Sequence, residues 1–124
     1  MASELRVNTL KDAAGANSVA MEYVAGGSAK AWGHVATANS TTLDDSFNYT
    51  SVTDNGTGDW TYAFTNSMTN SAYSFVSIHG SAGSNSAFSR SNTYATGSIR
   101  FWTYTGAGVT DAVLITNTVN GDLA

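Results

Sequence analysis

Few side chains in this chain are of a kind that does acid–base, nucleophilic or metal chemistry. His34 and His79 are the two histidines, and an imidazole serves as a general base or a metal ligand near neutral pH. They lie far apart in sequence, and neither has an acidic residue or a second histidine at a ligand spacing such as His-x-x-x-His. Each therefore reads as a strand-face histidine donating to a neighbour. Asp44, Asp45, Asp54 and Asp59 are calcium-loop material by type. The run from Asp54 nevertheless lacks the alternating acidic ligands and the closing glutamate that a cation loop needs, and such aspartates more simply cap turns. No serine stands in a Gly-x-Ser-x-Gly elbow, and no pair of carboxylates has the context of a glycosidase site. The expectation is a protein without catalytic residues, metal or cofactor.

Aromatic residues are the remaining lead to ligand chemistry. Trp32, Trp60, Tyr62, Tyr73, Trp102 and Tyr104 are of a type that stacks on sugar rings, with Asn, Thr and Ser as hydrogen-bonding neighbours. The competing reading is burial: Trp60, Tyr62 and Phe64 alternate with Thr61, Ala63 and Thr65, so they share one face of a strand and suit a core. Residues 98–104 pose a sharper problem. Ile99 and Phe101 alternate with Arg100, Trp102 and Tyr104, and one core cannot bury both faces of one strand. If Ile99 and Phe101 point inward, a neighbouring subunit is the expected cover, making Trp102, Tyr104 and Arg100 a candidate subunit interface.

The elements that would position these residues are strands. Residues 47–53 and 60–65 flank the polar hinge Asp54-Asn55-Gly56-Thr57-Gly58-Asp59, a hairpin pattern around which the chain is organised. Strand-like runs follow at 73–79, 87–94, 98–104 and 112–116, separated by glycine- and asparagine-rich turns. That spacing predicts an all-β fold, a small antiparallel β-sandwich or meander. Residues 28–38 read as a further strand, with Trp32, His34 and Ala36 alternating with Ala31, Gly33 and Val35 and the inward face ambiguous, and 39–45 read as a polar loop. No segment combines helical periodicity with caps; 10–16 comes nearest.

The N-terminal 27 residues differ in character. Two short alternating runs, one with Leu5, Val7 and Leu10 and one with Val19, Met21 and Tyr23, are too small to bury themselves. Residues 1–27 are expected to form an extended arm that orders against another molecule, with residues 28–124 as the β-domain; the alternative is that these runs are the domain's first strands.

Composition narrows the partners. The chain has 124 residues and a formal charge of −4, which allows one small domain plus an arm. Charged residues are only 11% of the chain, well below the roughly 25% of ordinary soluble domains. A surface so poor in charge suits a symmetric assembly, where every charge recurs at each copy. Arg6, Lys11, Lys30, Arg90 and Arg100 are scattered, so no nucleic-acid surface is expected. No apolar run reaches the roughly 18 residues of a membrane span, so no membrane insertion is expected, and the first residues lack a signal-peptide pattern. Cysteine is absent, which rules out disulfides and thiolate sites. Proline is absent as well, leaving every strand its full set of backbone donors, as suits edges that are to be paired. Sequons at Asn39, Asn48 and Asn55 are what chance provides in a chain rich in Asn, Ser and Thr.

Residues 46–48 (Ser-Phe-Asn), 51–61 (Ser-Val-Thr-Asp-Asn-Gly-Thr-Gly-Asp-Trp-Thr), 64–68 (Phe-Thr-Asn-Ser-Met) and Tyr73 together resemble the C-terminal β-modules of bacteriophage tail-fibre, head-fibre and capsid-decoration proteins. The opening 1–32, with Leu-Arg-Val-Asn-Thr-Leu-Lys-Asp at 5–12 and Val-Ala-Gly-Gly-Ser-Ala-Lys-Ala-Trp at 24–32, is similar to the start of the same class. The resemblance implies a non-enzymatic protein of the virion surface, made in the host cytoplasm: a homotrimer attached through its arm to other virion proteins of capsid or tail. It would be a fibre-like appendage or a capsid decoration (cement) protein. A receptor-binding tail-fibre tip would instead present loops 53–59, 80–86 and 106–110 to a host surface glycan, with Asp54, Asn55, Thr57, Asp59, Ser84 and Asn85 as contacts. A free glycan-binding lectin, or a small glycan hydrolase using Asp59 or Asp111, is the competitor from outside that class.

Overall fold

The computed structural model describes residues 5–36, 41–80 and 87–124. In chain order these form β1 (Thr9–Lys11), β2 (Ser18–Ala20), α1 (Met21–Gly27), β3 (Ala31–Val35), β4 (Asp45–Phe47) and β5 (Tyr49–Gly56). Then come β6 (Asp59–Phe64), β7 (Ser74–Gly80), β8 (Ala87–Ala95), β9 (Ser98–Thr105), β10 (Gly108–Val109) and β11 (Leu114–Asn120). β1 and β2 pair as a separate hairpin. A four-stranded antiparallel sheet has the order β4-β3-β11-β7. In the five-stranded sheet β9 pairs with β8 over 98–105 along one edge, and β6 and β10 share its other edge, with β5 outside β6. The fold is all-β, with two antiparallel sheets enclosing one core.

That core follows from alternation. Trp60, Tyr62 and Phe64 on β6, Ile99, Phe101 and Thr103 on β9, and Ile115 and Val119 on β11 point between the sheets and are buried. Side chains of this size contribute about 1.5–3 kcal/mol each when fully buried. Tyr62 packs tilted on Phe101 with ring centroids 5.4 Å apart, and Phe75 of β7 reaches Phe101 at 5.0 Å. The Trp60 indole donates to Thr103 Oγ1 at 3.2 Å, which satisfies its polar end inside the core.

Two backbone features let the strands reach these positions. On β5 the buried residues are Tyr49 and Val52, three apart where a regular strand would alternate. A bulge between Tyr49 and Ser51 inserts the extra residue that returns Val52 to the inner face. Asn48 stands between β4 and β5, where the chain leaves one sheet for the other, at φ 58°. Asparagine tolerates that left-handed conformation. Its side chain holds the corner: Nδ2 donates to the Lys30 and Asn66 carbonyls at 3.0 and 3.1 Å, and Oδ1 accepts from the Asn66 N–H at 2.7 Å.

The structure corrects several expectations. The central hairpin turns at Thr57 and Gly58 alone, and β5 continues through Gly56. Gly58 has φ 60°, and an added Cβ would lie 2.6 Å from the Thr110 carbonyl oxygen, so the turn requires glycine. Phe47 leaves that hairpin and joins β4 in the other sheet. Residues from Met21 form α1 where alternation predicts a strand; Met, Glu and Ala are compatible with helix, Glu22 lies in its first turn, and Gly26 and Gly27 end it. Residues 5–27 contribute no buried side chain. Among the described residues no helix is long and apolar enough to cross a membrane.

Candidate functional site

Two sheets facing each other leave two outer faces, and the candidate residues divide between them. On the five-stranded sheet, Arg100, Trp102 and Tyr104 project outward opposite Ile99, Phe101 and Thr103, as alternation requires. Register places Asp59 and Arg90 on either side of Trp102, and Phe88 beside Tyr104. The Phe88 and Tyr104 rings stack at 5.3 Å with 4° between planes, and Trp102 meets Tyr104 edge-on at 6.4 Å. The Arg90 guanidinium lies 5.8 Å from the Trp102 ring centroid. Arg100 holds Asp59 with two hydrogen bonds, Nε to Oδ1 at 2.9 Å and Nη2 to Oδ2 at 2.6 Å. That fork, aided by hydrogen bonds from Trp102 and Asn55, keeps the Asp59 carboxyl below the usual carboxylate range. The face named as a candidate interface thus has partners on its own sheet.

The loop candidates are similarly engaged. Asp54 Oδ1 accepts the Gly56 N–H at 2.8 Å, and Asn55 Nδ2 donates to Thr61 Oγ1 at 2.8 Å. Thr57 is exposed at the turn. Asp111 accepts the Gly58 N–H at 2.6 Å, tying the β10–β11 connection to the β5–β6 turn. Asp59 and Asp111 therefore act as an ion-pair member and a turn cap in this geometry. Ser84, Asn85 and the sequon at Asn39 lie outside the described residues.

The outer face of the four-stranded sheet is different, and sequence reading did not single it out. Register aligns Phe47, Trp32, Thr118 and Val76 in one row across β4-β3-β11-β7, and Asp45, His34, Thr116 and Ile78 in the next. Leu114 continues the β11 column. Phe47, Val76 and Ile78 are half or more exposed, at 50%, 57% and 66%, and Trp32 and Leu114 are also exposed. Between them runs a shallow groove of about 150 Å³ lined by Val76, Ile78, Thr116, Asn117 and Thr118. The only ionisable groups on these two rows are His34 and Asp45; Asp44 adjoins them, 3.4 Å from His34 Nδ1.

β7 is the cause of this face, because its polarity is reversed. Phe75, Ser77 and His79 point between the sheets, while Val76 and Ile78 point outward. Phe75, packed on Phe101, sets that register. The inward His79 is buried, and burial holds its imidazole below the ordinary 6.5. Its Nδ1 lies 3.4 Å from Ser89 Oγ. Tyr49 donates its hydroxyl to Asn117 Oδ1 at 2.7 Å, and burial pushes the Tyr49 and Tyr62 phenols up, each beyond its ordinary range. Among the described residues His79 Nε2, Asn117 Nδ2 and the Tyr62 hydroxyl are buried without a hydrogen-bond partner. The signal for the reversed strand was present as two adjacent apolar residues, Phe75 and Val76, on opposite faces.

Leu5, Leu10, Val19 and Tyr23 are exposed, and Val7 and Met21 are half-buried. An open concavity of about 300 Å³ lies between β1 and β2, lined by Leu10, Lys11, Asp12, Asn17, Ser18 and Val19. Among the described residues no three His, Cys, Asp or Glu side chains gather as a metal site requires. A comparison with known protein families, with curated protein sequences and with solved structures finds nothing that matches this chain.

Proposed function

We propose that this chain is a non-enzymatic structural protein of a phage virion surface, a homotrimer held to other virion proteins through its N-terminal arm. The resemblance of 46–73 and 1–32 to phage fibre and decoration modules supplies the setting. The observation that carries the assembly is the four-stranded sheet: with the core complete between the sheets, Trp32, Phe47, Val76, Ile78 and Leu114 still face outward together. Large apolar side chains gathered on one outer face mark interaction sites more often than scattered ones do. The arm adds to this, since no side chain of residues 5–27 is fully buried within its own chain. As a capsid decoration protein it would clamp neighbouring capsid subunits; as a fibre-like appendage it would project from them.

Gold-labelled antibody against this protein, applied to purified particles from a lysate producing it, is expected to mark the particle surface. Recovery of all the protein in the particle-free fraction would refute the reading. A receptor-binding tip or lectin has one observation in its favour, the Phe88–Trp102–Tyr104 cluster. Its rings, however, cover one another and Arg90, which leaves less open ring surface for a sugar.

A further inference from the structure

We propose that the seam where β7 meets β8 is an acid-sensitive device: protonation of His79 parts the His79–Ser89 end of these two strands while the Tyr73 end stays closed. β7 is an edge of the four-stranded sheet and pairs with β11, and β8 is an edge of the five-stranded sheet and pairs with β9. Among the described residues no ladder joins the two, so side chains close this side of the sandwich. Its two ends are unlike. At one end the Tyr73 hydroxyl shares its proton between the Ala95 and Ser98 carbonyls at 3.0 and 2.8 Å, the Tyr73 ring packs on Tyr94 at 5.1 Å, and Phe75 lies on Phe101. At the other end the inward residues are Ser77 and His79 on β7 and Ser89 and Ser91 on β8, the last two paired in register with Thr103 and Phe101. Ser89 Oγ donates to Ser77 Oγ at 3.2 Å and lies 3.4 Å from His79 Nδ1. Parting an end built of serines forfeits little hydrophobic stabilisation, whereas the aromatic end resists it.

His79 is 3% exposed, and its Nε2 has no hydrogen-bond partner. A second ring proton would make it a buried cation, which needs an acceptor at each nitrogen and a counter-charge. The elements packed around it supply no counter-charge. In its own row β11 presents Ile115 and β3 presents Val35, and the next inward residue of β11 is Asn117. The β10–β11 connection reaches the end of β7 through the Val113 N–H on the Gly80 carbonyl at 2.9 Å, but the Asp111 carboxylate is engaged by the Gly58 N–H. On β8 and β9 the ionisable side chains Arg90, Arg100 and Tyr104 stand on the outer face. The inward Tyr49 and Tyr62 phenols are pushed up by burial and stay neutral. Residues 81–86, which join β7 to β8, have no ionisable side chain. The Tyr104 backbone favours the charged ring, and burial outweighs it. Water is the remaining source of solvation, and parting the serine-lined end admits it. An open seam takes up the proton near the ordinary histidine value of about 6.5 and the closed seam resists it, so opening grows as pH falls below that value and is suppressed above it.

The absence of cysteine makes single thiol reporters available. In the full chain Ser77→Cys reports on the serine-lined end, Val119→Cys, paired with Phe75, on the closed end, and Ser74→Cys on exposed strand. Each is labelled with a methanethiosulfonate reagent at about pH 7.5 and about pH 5.0, on either side of the histidine range, with the fold checked by circular dichroism. Rates are taken relative to Ser74→Cys, which removes the pH dependence common to thiols. The relative rate of Ser77→Cys is expected to rise at least about tenfold at the lower pH, with Val119→Cys unchanged and the rise abolished by adding His79→Gln. No rise, an equal rise at Val119→Cys, or a rise that persists with His79→Gln would overturn the device. Should His79→Gln fail to fold, magnetic resonance of the His79 ring in the Ser77→Cys chain gives its titration midpoint. A labelling rise with the same midpoint supports the device, and a rise completed while His79 is still neutral overturns it.

Discussion

Both outer faces of this sandwich carry large apolar side chains, and they dispose of them in opposite ways. On the five-stranded sheet Tyr104 stacks on Phe88, Trp102 lies between Arg90 and Asp59, and Arg100 forks onto Asp59. Cross-strand neighbours on one face are the unit of sheet stabilisation, so these groups pair with one another within the chain, although Phe88 keeps 53% of its surface exposed. On the four-stranded sheet the apolar columns are separated by the threonines of β11, and Val76 and Ile78 stay more than half exposed. Exposed apolar surface is informative when it is contiguous and unpaired; its quantity alone says little.

Substitutions separate the two behaviours. The largest effect is expected where both faces share a foundation: Trp60→Ala should destabilise the protein by about 3–5 kcal/mol in denaturant unfolding, and assembly should fall with it. Asn48→Ala removes the corner between the sheets, losing three hydrogen bonds and a residue suited to its left-handed backbone. A loss of about 2 kcal/mol is expected, larger than for Asn48→Gly, which keeps the backbone freedom. Phe88→Ala should lower the stability by about 0.5–1.5 kcal/mol through the lost ring pair, without altering the mass in solution. Ile78→Ser should do the reverse, changing unfolding of the dissociated chain by less than about 0.5 kcal/mol while weakening assembly.

Acid separates the interior from the outer face, and it is the gentlest of these probes. His79 is neutral in the fold with a depressed pKa, so the unfolded chain takes up the proton first. Stability should be full above about pH 6.5 and decline as pH falls below it, levelling off once the folded histidine also titrates. Asp59 works in a lower window: its contribution is present above the ordinary carboxylate pKa near 3.9 and is lost as pH falls through its depressed folded value. Urea unfolding from pH 8 to 3 should show the first decline vanish in His79→Gln and persist in Asp59→Asn. A first decline that persists in His79→Gln would remove the buried histidine as its cause.

Alternation along the chain determined much of this protein by itself. The alternating residue sets of β6 and β9, a reversal within 54–59, and the all-β class follow from a period of two and from where glycine allows the backbone to reverse. Periodicity does not say which of two alternating sets points inward. In β3 the small set Ala31, Gly33 and Val35 is buried and Trp32 and His34 are left outside, because Tyr49 and Leu43 already occupy the space above Gly33. In β7 the packing of Phe75 on Phe101 turns Ser77 and His79 inward and Val76 and Ile78 outward, against their own polarity. Pairing was equally out of reach: Asp59 and Arg90 flank Trp102 only because β6 and β8 take opposite edges of β9. Local sequence sets a strand's period. The side that faces the core, and the neighbours that complete the other side, are properties of the packed sheets.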